Sequence, residues 1–259
     1  MIDLHAHILP GIDDGARDIY DTLEMASIAA DSGVTAIVAT PHCNIPGYYN
    51  NYFDKYYVDV FKKASEAIQS ERIPVKLLPG MEVFGTYDLP RLIVEKKIMP
   101  LNQSRYILLE FDFEEDPGFA TDLLRRVAEV GAKPVVAHVE RYACVQDDPD
   151  IIKEWRKKGY VIQVNKGSFL GGFGRHAQHT AYHLLRQDLV SVVASDAHSP
   201  YNRTPYMREA YEEICAEYSK EKADLLFHIN PRCICNNEQI RRVKRVTYSD
   251  HGSWERSGT

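Results

Sequence analysis

The residues best suited to chemistry occur in six short runs: D-L-H-A-H at Asp3–His7, A-T-P-H ending at His42, G-M-E ending at Glu82, L-L-E ending at Glu110, A-H-V-E-R from Ala137 to Arg141, and A-S-D-A-H from Ala194 to His198. Asp3, His5 and His7 alternate within an apolar frame of Ile2, Leu4 and Ile8, so a strand puts all three polar side chains on one face. Two imidazoles so placed can ligate one metal ion together. Pro10-Gly11 then turns the chain, and Asp13-Asp14-Gly15 sets carboxylates on a loop, either of which could serve as a ligand. Taken alone, His-x-His is a common surface pattern; the other five runs give it weight.

The later runs supply His42, Glu82, Glu110, His138, Asp196 and His198, a mixed nitrogen and oxygen donor set that suits manganese, iron or zinc and is richer in His than magnesium prefers. The donors are too many for one ion. Two or three ions, bridged by a carboxylate such as Glu82 or Asp196, would use them all, and such a cluster activates water and clamps phosphoryl oxygens. Arg141 and Arg203 would then hold phosphate, since a guanidinium fork matches its geometry; taken singly, each reads as readily as a surface or ion-paired arginine.

These runs need elements that bring them together. Apolar strand-like segments are predicted at Ile2–Leu4, Val34–Ala39, Val75–Leu78, Tyr106–Leu109, Pro134–Ala137, Val161–Val164 and Val190–Ala194. Amphipathic helices alternate with them, the first capped by Asp18 and stopping at Gly33, and others over Asp54–Ser70, Leu89–Lys96, Phe119–Val130, Pro149–Lys158, Ala177–Gln187 and Tyr206–Tyr218. That alternation is the signature of βαβ units and a parallel sheet. Each of the seven strands ends in a metal-competent or hydrogen-bonding residue, Asn165 closing the sixth. In a closed α/β barrel those ends meet on one face, where catalytic groups sit.

With 259 residues, 44% of them hydrophobic, the chain can bury one large core. A net charge of -6 leaves no electrostatic footprint for nucleic acid. Five scattered cysteines (Cys43, Cys144, Cys215, Cys233, Cys235) argue against a disulfide framework and for a reducing compartment. Without an apolar run of membrane-spanning length or a secretory leader pattern, the expectation is a cytoplasmic protein with no membrane insertion. One domain is expected over residues 1–245, with 246–259 a frayed tail.

In order and spacing, D-L-H-A-H-I-L-P-G-I-D-D-G, A-T-P-H, G-M-E, A-H-V-E-R-Y and S-D-A-H resemble the PHP (polymerase and histidinol phosphatase) superfamily over residues 1 to about 240. More narrowly they resemble the bacterial manganese-dependent tyrosine-protein phosphatases of capsule and exopolysaccharide operons. The resemblance implies a distorted (β/α)7 TIM-like barrel. It also implies a site of His5, His7, Asp14, His42, Glu82, Glu110, His138, Asp196 and His198 holding two or three Mn2+ ions, with phosphate bound by Arg141 and Arg203. The implied substrate is phosphotyrosine on the tail of a bacterial tyrosine autokinase that controls polysaccharide synthesis. In the implied reaction water attacks phosphorus in line without a phosphoenzyme, and the leaving tyrosinate takes its proton from metal-shell water or His198. Two other readings use the same cluster: a phosphatase of a small monoester such as histidinol phosphate, and a metal-stabilised scaffold that only binds the kinase. An amidohydrolase is less well matched, because Glu110 stands where such enzymes carry a bridging lysine. Cys43 departs from the family pattern and is assigned no role.

Six aromatics crowd between Tyr48 and Tyr57 (Tyr48, Tyr49, Tyr52, Phe53, Tyr56, Tyr57); they read either as a rim that stacks a tyrosine ring or as packing against the barrel. Cys235 to Arg241 matches the spacing of cysteine-dependent phosphatases, but the loop lacks glycine and carries Glu238 where an anion would bind, so it is rejected. His176, His179 and His183 read as a polar helix face, Cys233-Ile-Cys235 as a short terminal strand, and the basic run Arg241 to Arg245 as a solvated end.

Overall fold

The computed structural model describes residues 1–242; Lys244 and Arg245 of the basic run, and the expected tail 246–259, lie outside the described residues. Among the described residues nine strands run parallel: β1 (Ile2–Ala6), β2 (Ala36–Ala39), β3 (His42–Cys43), β4 (Lys76–Pro79), β5 (Glu82–Phe84), β6 (Tyr106–Glu110), β7 (Lys133–Val136), β8 (Val161–Asn165) and β9 (Val192–Ala194). Their order is β1-β2-β4 in one sheet and β3-β5-β6-β7-β8-β9 in the other. A bridge between Ala6 and Ala197, with Asp196 N–H donating to His5 O (2.8 Å) and His7 N–H to Ala197 O (2.8 Å), returns the end of β9 to β1. The sheet therefore curls round on itself as the distorted TIM-like barrel expected.

Nine strands stand where seven were predicted because the second and third are each followed, past a break, by a short further strand, β3 and β5. Pro41 has no N–H to offer the ladder, so pairing lapses there and resumes at His42, opposite Glu82. At Gly80 a Cβ would lie 2.6 Å from Val38 Cγ1, so only glycine lets the chain cross so close. The buried Tyr57 hydroxyl satisfies the freed backbone, accepting from Gly80 N (3.1 Å) and donating to Gly80 O (2.9 Å). His42 and Glu82 are the first strand residues past these breaks, and they pair with each other across β3 and β5.

β2, β6 and β8 are buried along their whole length, as parallel strands covered on both faces must be. Inside the barrel Leu4, Val38, Leu78, Leu108, Val135, Val161 and Val192 form one apolar cluster. A larger one packs outer helices such as Ile19–Asp31 and Pro117–Glu129 onto the strands. Asp18 caps the first helix as predicted, its Oδ1 accepting from Tyr20 N (2.9 Å) and Asp21 N (3.0 Å).

One expectation is corrected. Cys233-Ile-Cys235 is no strand: it belongs to the helix Asn230–Cys235, which Pro231 starts and whose Ile234 and Cys235 join the apolar cluster inside the barrel. A three-residue alternation is too short to set a period. Burial pushes the Cys235 thiol up to about 12, which removes it as a nucleophile. His176, His179 and His183 lie on the helix Gly174–Arg186, with the first two exposed. Among the described residues no helix is long and apolar enough to cross a membrane.

Candidate metal centre

At the carboxyl-terminal end of the barrel the strand ends bring the predicted residues to one place. His5 and His7 come from β1 and its exit, His42 from β3, Glu82 from β5, Glu110 from the last position of β6, His138 from just beyond β7, and Asp196 and His198 from just beyond β9. They gather in three sets whose donor atoms lie within 4.8 Å of one another: His7, Asp14, His42 and His198; His5, His7 and Asp196; and His42, Glu82 and Glu110. His138 Nε2 lies 2.9 Å from Glu82 Oε1. His138 and Asp196 hold left-handed backbone angles (φ 34° and 51°), strain of a kind that clusters at functional sites.

Hydrogen bonds from behind set the direction of the imidazoles. His7 Nδ1 donates to Asp13 Oδ2 (2.7 Å) and His5 Nδ1 to Gln163 Oε1 (3.1 Å). The Gln163 amide is itself held, accepting from His138 N (3.0 Å) and donating to Asn165 Oδ1 (2.8 Å). Asn165 Nδ2 in turn donates to Asp196 Oδ2 (2.7 Å). With both Nδ1 protons committed, the Nε2 atoms of His5 and His7, 3.3 Å apart, are the positions left to take a proton or a metal ion. Glu82 comes within 3.1 and 3.2 Å of them and Asp196 within 3.4 and 3.6 Å. Glu82 Oε2 is buried without a well-directed hydrogen bond although His7 and His42 nitrogens approach to 3.2 Å.

Acceptors so crowded and buried need cations between them, either protons or metal ions. The protonation pattern agrees. Burial opposes charging His7, yet Asp13 and Glu82 outweigh it and hold its pKa well above the ordinary value. Burial likewise opposes ionising Glu82, but His5, His138 and His7 draw it well below the carboxylate range. His198 goes the other way: burial, then the charges of His7 and Arg203, depress it far below the ordinary imidazole value. It is a neutral lone-pair donor. The donor set fits divalent metal ions.

Asp13 and Asp14 separate here. Asp13 turns inward, its Oδ2 accepting from His7 Nδ1 and from His42 N (2.9 Å) and its Oδ1 from Gly15 N (3.0 Å). Asp14 points into the open site, with Oδ1 3.5 Å from His42 Nε2 and 3.6 Å from His198 Nε2. Gly15 makes the turn possible, since a Cβ there would sit 2.1 Å from His7 O.

Above the cluster opens a cavity of about 350 Å³. Arg141 and Arg203 both line it, with Arg141 Nη1 3.7 Å and Arg203 Nη2 2.5 Å from Asp196 Oδ2. Arg141 is clamped between two rings, its Cζ 4.2 Å from the Phe113 centroid and 4.5 Å from that of Phe173. The crowded aromatics divide between the two readings. Tyr48 and Tyr49 line the cavity, Tyr49 stacked on His42 at 5.5 Å and 14°, whereas Tyr57 is core. Glu140 turns away to accept from Asn165 N (3.1 Å) and Ser168 Oγ (2.5 Å), joining β7 to β8. Cys43 is buried, its thiol pushed up to about 12.

Residue types alone do not single out Gln163, Phe113 or Phe173. Gln163 does stand two residues before Asn165 on a strand, which places both side chains on one face, and that alternation was the available signal.

Comparison with known proteins gives a consistent picture. The family described as capsular polysaccharide synthesis, CpsB/CapC, matches residues 1–236. The chain is 33% identical over 242 residues to the tyrosine-protein phosphatase YwqE of Bacillus subtilis (strain 168), covering 93% of this chain and 94% of that protein. It is 31% identical over 245 residues to the tyrosine-protein phosphatase CpsB of Streptococcus pneumoniae, covering 93% of this chain and 100% of that one. A crystal structure from work on these two proteins, described as unique metal-dependent tyrosine phosphatases, matches with a TM-score of 0.87 at 33% identity over 93% of this chain and 97% of that chain. The lactonase Lmo2620 of Listeria monocytogenes, at 11% identity and TM-score 0.54 over 92% of each chain, shares the fold alone.

Proposed function

The chain belongs to the CpsB/CapC family, and from that membership we propose that it is a metal-dependent protein-tyrosine phosphatase. Its substrate is phosphotyrosine on the tail of a bacterial tyrosine autokinase that regulates capsular or extracellular polysaccharide synthesis, met in the cytoplasm. The observation that carries this reading is the pair of imidazole nitrogens, His5 Nε2 and His7 Nε2, set 3.3 Å apart among Glu82 and Asp196 beneath a cavity that two arginines line.

His5, His7, Asp14, His42, Glu82, Glu110, His138, Asp196 and His198 would hold two or three ions, for which Mn2+ is the proposed metal and iron or zinc the substitutes. Divalent ions there lower the pKa of water toward neutrality and clamp phosphoryl oxygens. The remaining work belongs to the chain. Arg141 and Arg203 take the equatorial oxygens of the phosphoryl group, where charge gathers during an in-line displacement. Phe113 and Phe173 keep the Arg141 fork from collapsing wholly onto Asp196. Asp13 and Gln163 hold the imidazoles in the tautomer that presents Nε2. Tyr48 and Tyr49 at the cavity wall are placed to receive an aromatic leaving group.

A side-by-side assay tests the reading. Manganese-loaded protein is expected to show a kcat/KM for a phosphotyrosine peptide at least tenfold above that for histidinol phosphate. The reverse order would move the protein to the small-monoester reading, and loss of neither activity in His138→Ala would remove the cluster from the chemistry.

A further inference from the structure

Beside the catalytic cavity lies a second one of about 430 Å³, and Arg203 lines both. Phe173 belongs to the wall between them, facing Arg141 at 4.5 Å and Arg203 at 5.5 Å. Among the described residues the second cavity carries two cations, Arg203 and Lys166, and no carboxylate. Lys166 follows directly on the end of β8 and is 8% exposed. Among the described residues no hydrogen bond or ion pair is found for its ammonium; Asp3 and Glu209 act on it only through space. The residue is buried but its ammonium still reaches the solvent of the cavity, so its donors are free for a ligand that enters there, and no role in the phosphate chemistry above calls for a cation at this place.

Resting on the phosphotyrosine reading, we propose that this second cavity is a specificity subsite in which Lys166 receives the carboxylate of an acidic residue flanking the phosphotyrosine. Geometry and chemistry agree on that occupant. Arg203, shared by both cavities, would touch the phosphoryl group on one side and line the path of the peptide on the other. A peptide chain leaving the catalytic cavity across this wall carries its next side chains into the second. Lysine is a compact point charge with rotatable donors, which suits a single carboxylate; a phosphoryl group would be better met by another guanidinium fork. Leu170 and Tyr201 at the mouth cover the aliphatic stem of a Glu side chain. Lys166 is thus a positioning residue that acts on affinity, and it does not touch the reacting atoms.

Steady-state kinetics of the full chain on three substrates decide it: a phosphotyrosine peptide with Glu on both flanks, the same peptide with Gln, and p-nitrophenyl phosphate. The wild type is expected to show a KM about tenfold lower for the Glu peptide than for the Gln peptide, the scale of one charge-assisted hydrogen bond. In Lys166→Met, which keeps the side-chain volume, that advantage disappears while kcat on all three substrates stays within about twofold; Lys166→Arg restores part of it. Equal KM for both peptides in the wild type, or a uniform fall on all three substrates in Lys166→Met, overturns the proposal. If the metal-loaded wild type leaves p-nitrophenyl phosphate intact, the catalytic reading fails by itself, and fluorescence anisotropy then judges the subsite. Tighter binding of the labelled Glu peptide to wild type than to Lys166→Met keeps it, and equal binding rejects it.

Discussion

Asp13 and Asp14 are neighbours with the same side chain and opposite tasks. Spacing in a turn cannot tell them apart, because either can rotate toward the cluster; the structure separates them by the partner behind His7. Residues that orient a ligand are worth nearly as much as the ligand itself, and Asp13→Ala is expected to lower metal affinity about 10- to 100-fold while the fold persists, as measured by titration calorimetry on stripped protein. An unchanged affinity would place the orienting role elsewhere. The charged residues of the site were legible from type and position because His, Asp and Glu recur at successive strand ends. Gln163 was not, since a neutral amide on a buried strand carries no such mark. The titration of these residues sets a pH dependence. In metal-free protein His7 is raised, so its contribution to stability is complete below the ordinary imidazole value and is lost as pH rises through the raised value. Glu82 is depressed, so its contribution is present above the ordinary carboxylate value and is lost as pH falls through the depressed one. Metal ions replace the protons that leave the imidazoles, so the rise in melting temperature on adding Mn2+ should be larger at pH 8.5 than at pH 6. A larger rise at pH 6 would contradict proton–metal exchange at these residues.

Two of the predicted strands are each followed, past a break, by a short strand that the sequence pattern does not show, and these additions carry His42 and Glu82 to the candidate site. Val34–Ala39 and Val75–Leu78 look like ordinary apolar runs. The break after the first comes from the missing N–H of Pro41, whereas the one at Gly80 depends on the approach of Val38 and Tyr57 from other parts of the chain, which a local pattern does not contain. The loop after β1 is constrained in the same way. Gly15→Ala drives a Cβ into the His7 carbonyl, and the backbone carrying Asp13 and Asp14 must shift. A cost of about 1–3 kcal/mol is expected, read as a fall of several degrees in melting temperature together with weakened metal binding. A variant that melts like the wild type and binds metal normally would show that the loop relaxes freely. The terminal helix Asn230–Cys235 was misread because three alternating residues fit a strand as well as a buried helix end.

At the scale of the molecule, alternation of strands and helices made the α/β barrel legible, and its closure through Ala6 and Ala197 brings together residues as far apart in sequence as His5 and Asp196. Closure concentrates acceptor atoms at one end of the barrel, where they repel one another unless cations lie between them. Fold and chemistry are coupled through that end, and metal occupancy should govern turnover. The most direct measurement is phosphate release from a phosphotyrosine peptide by metal-stripped protein as Mn2+ is titrated in. Turnover is predicted to be absent at the start and to saturate at two to three ions per chain; full turnover by the stripped protein, or none at any Mn2+ level, would contradict a water-activating cluster at the strand ends.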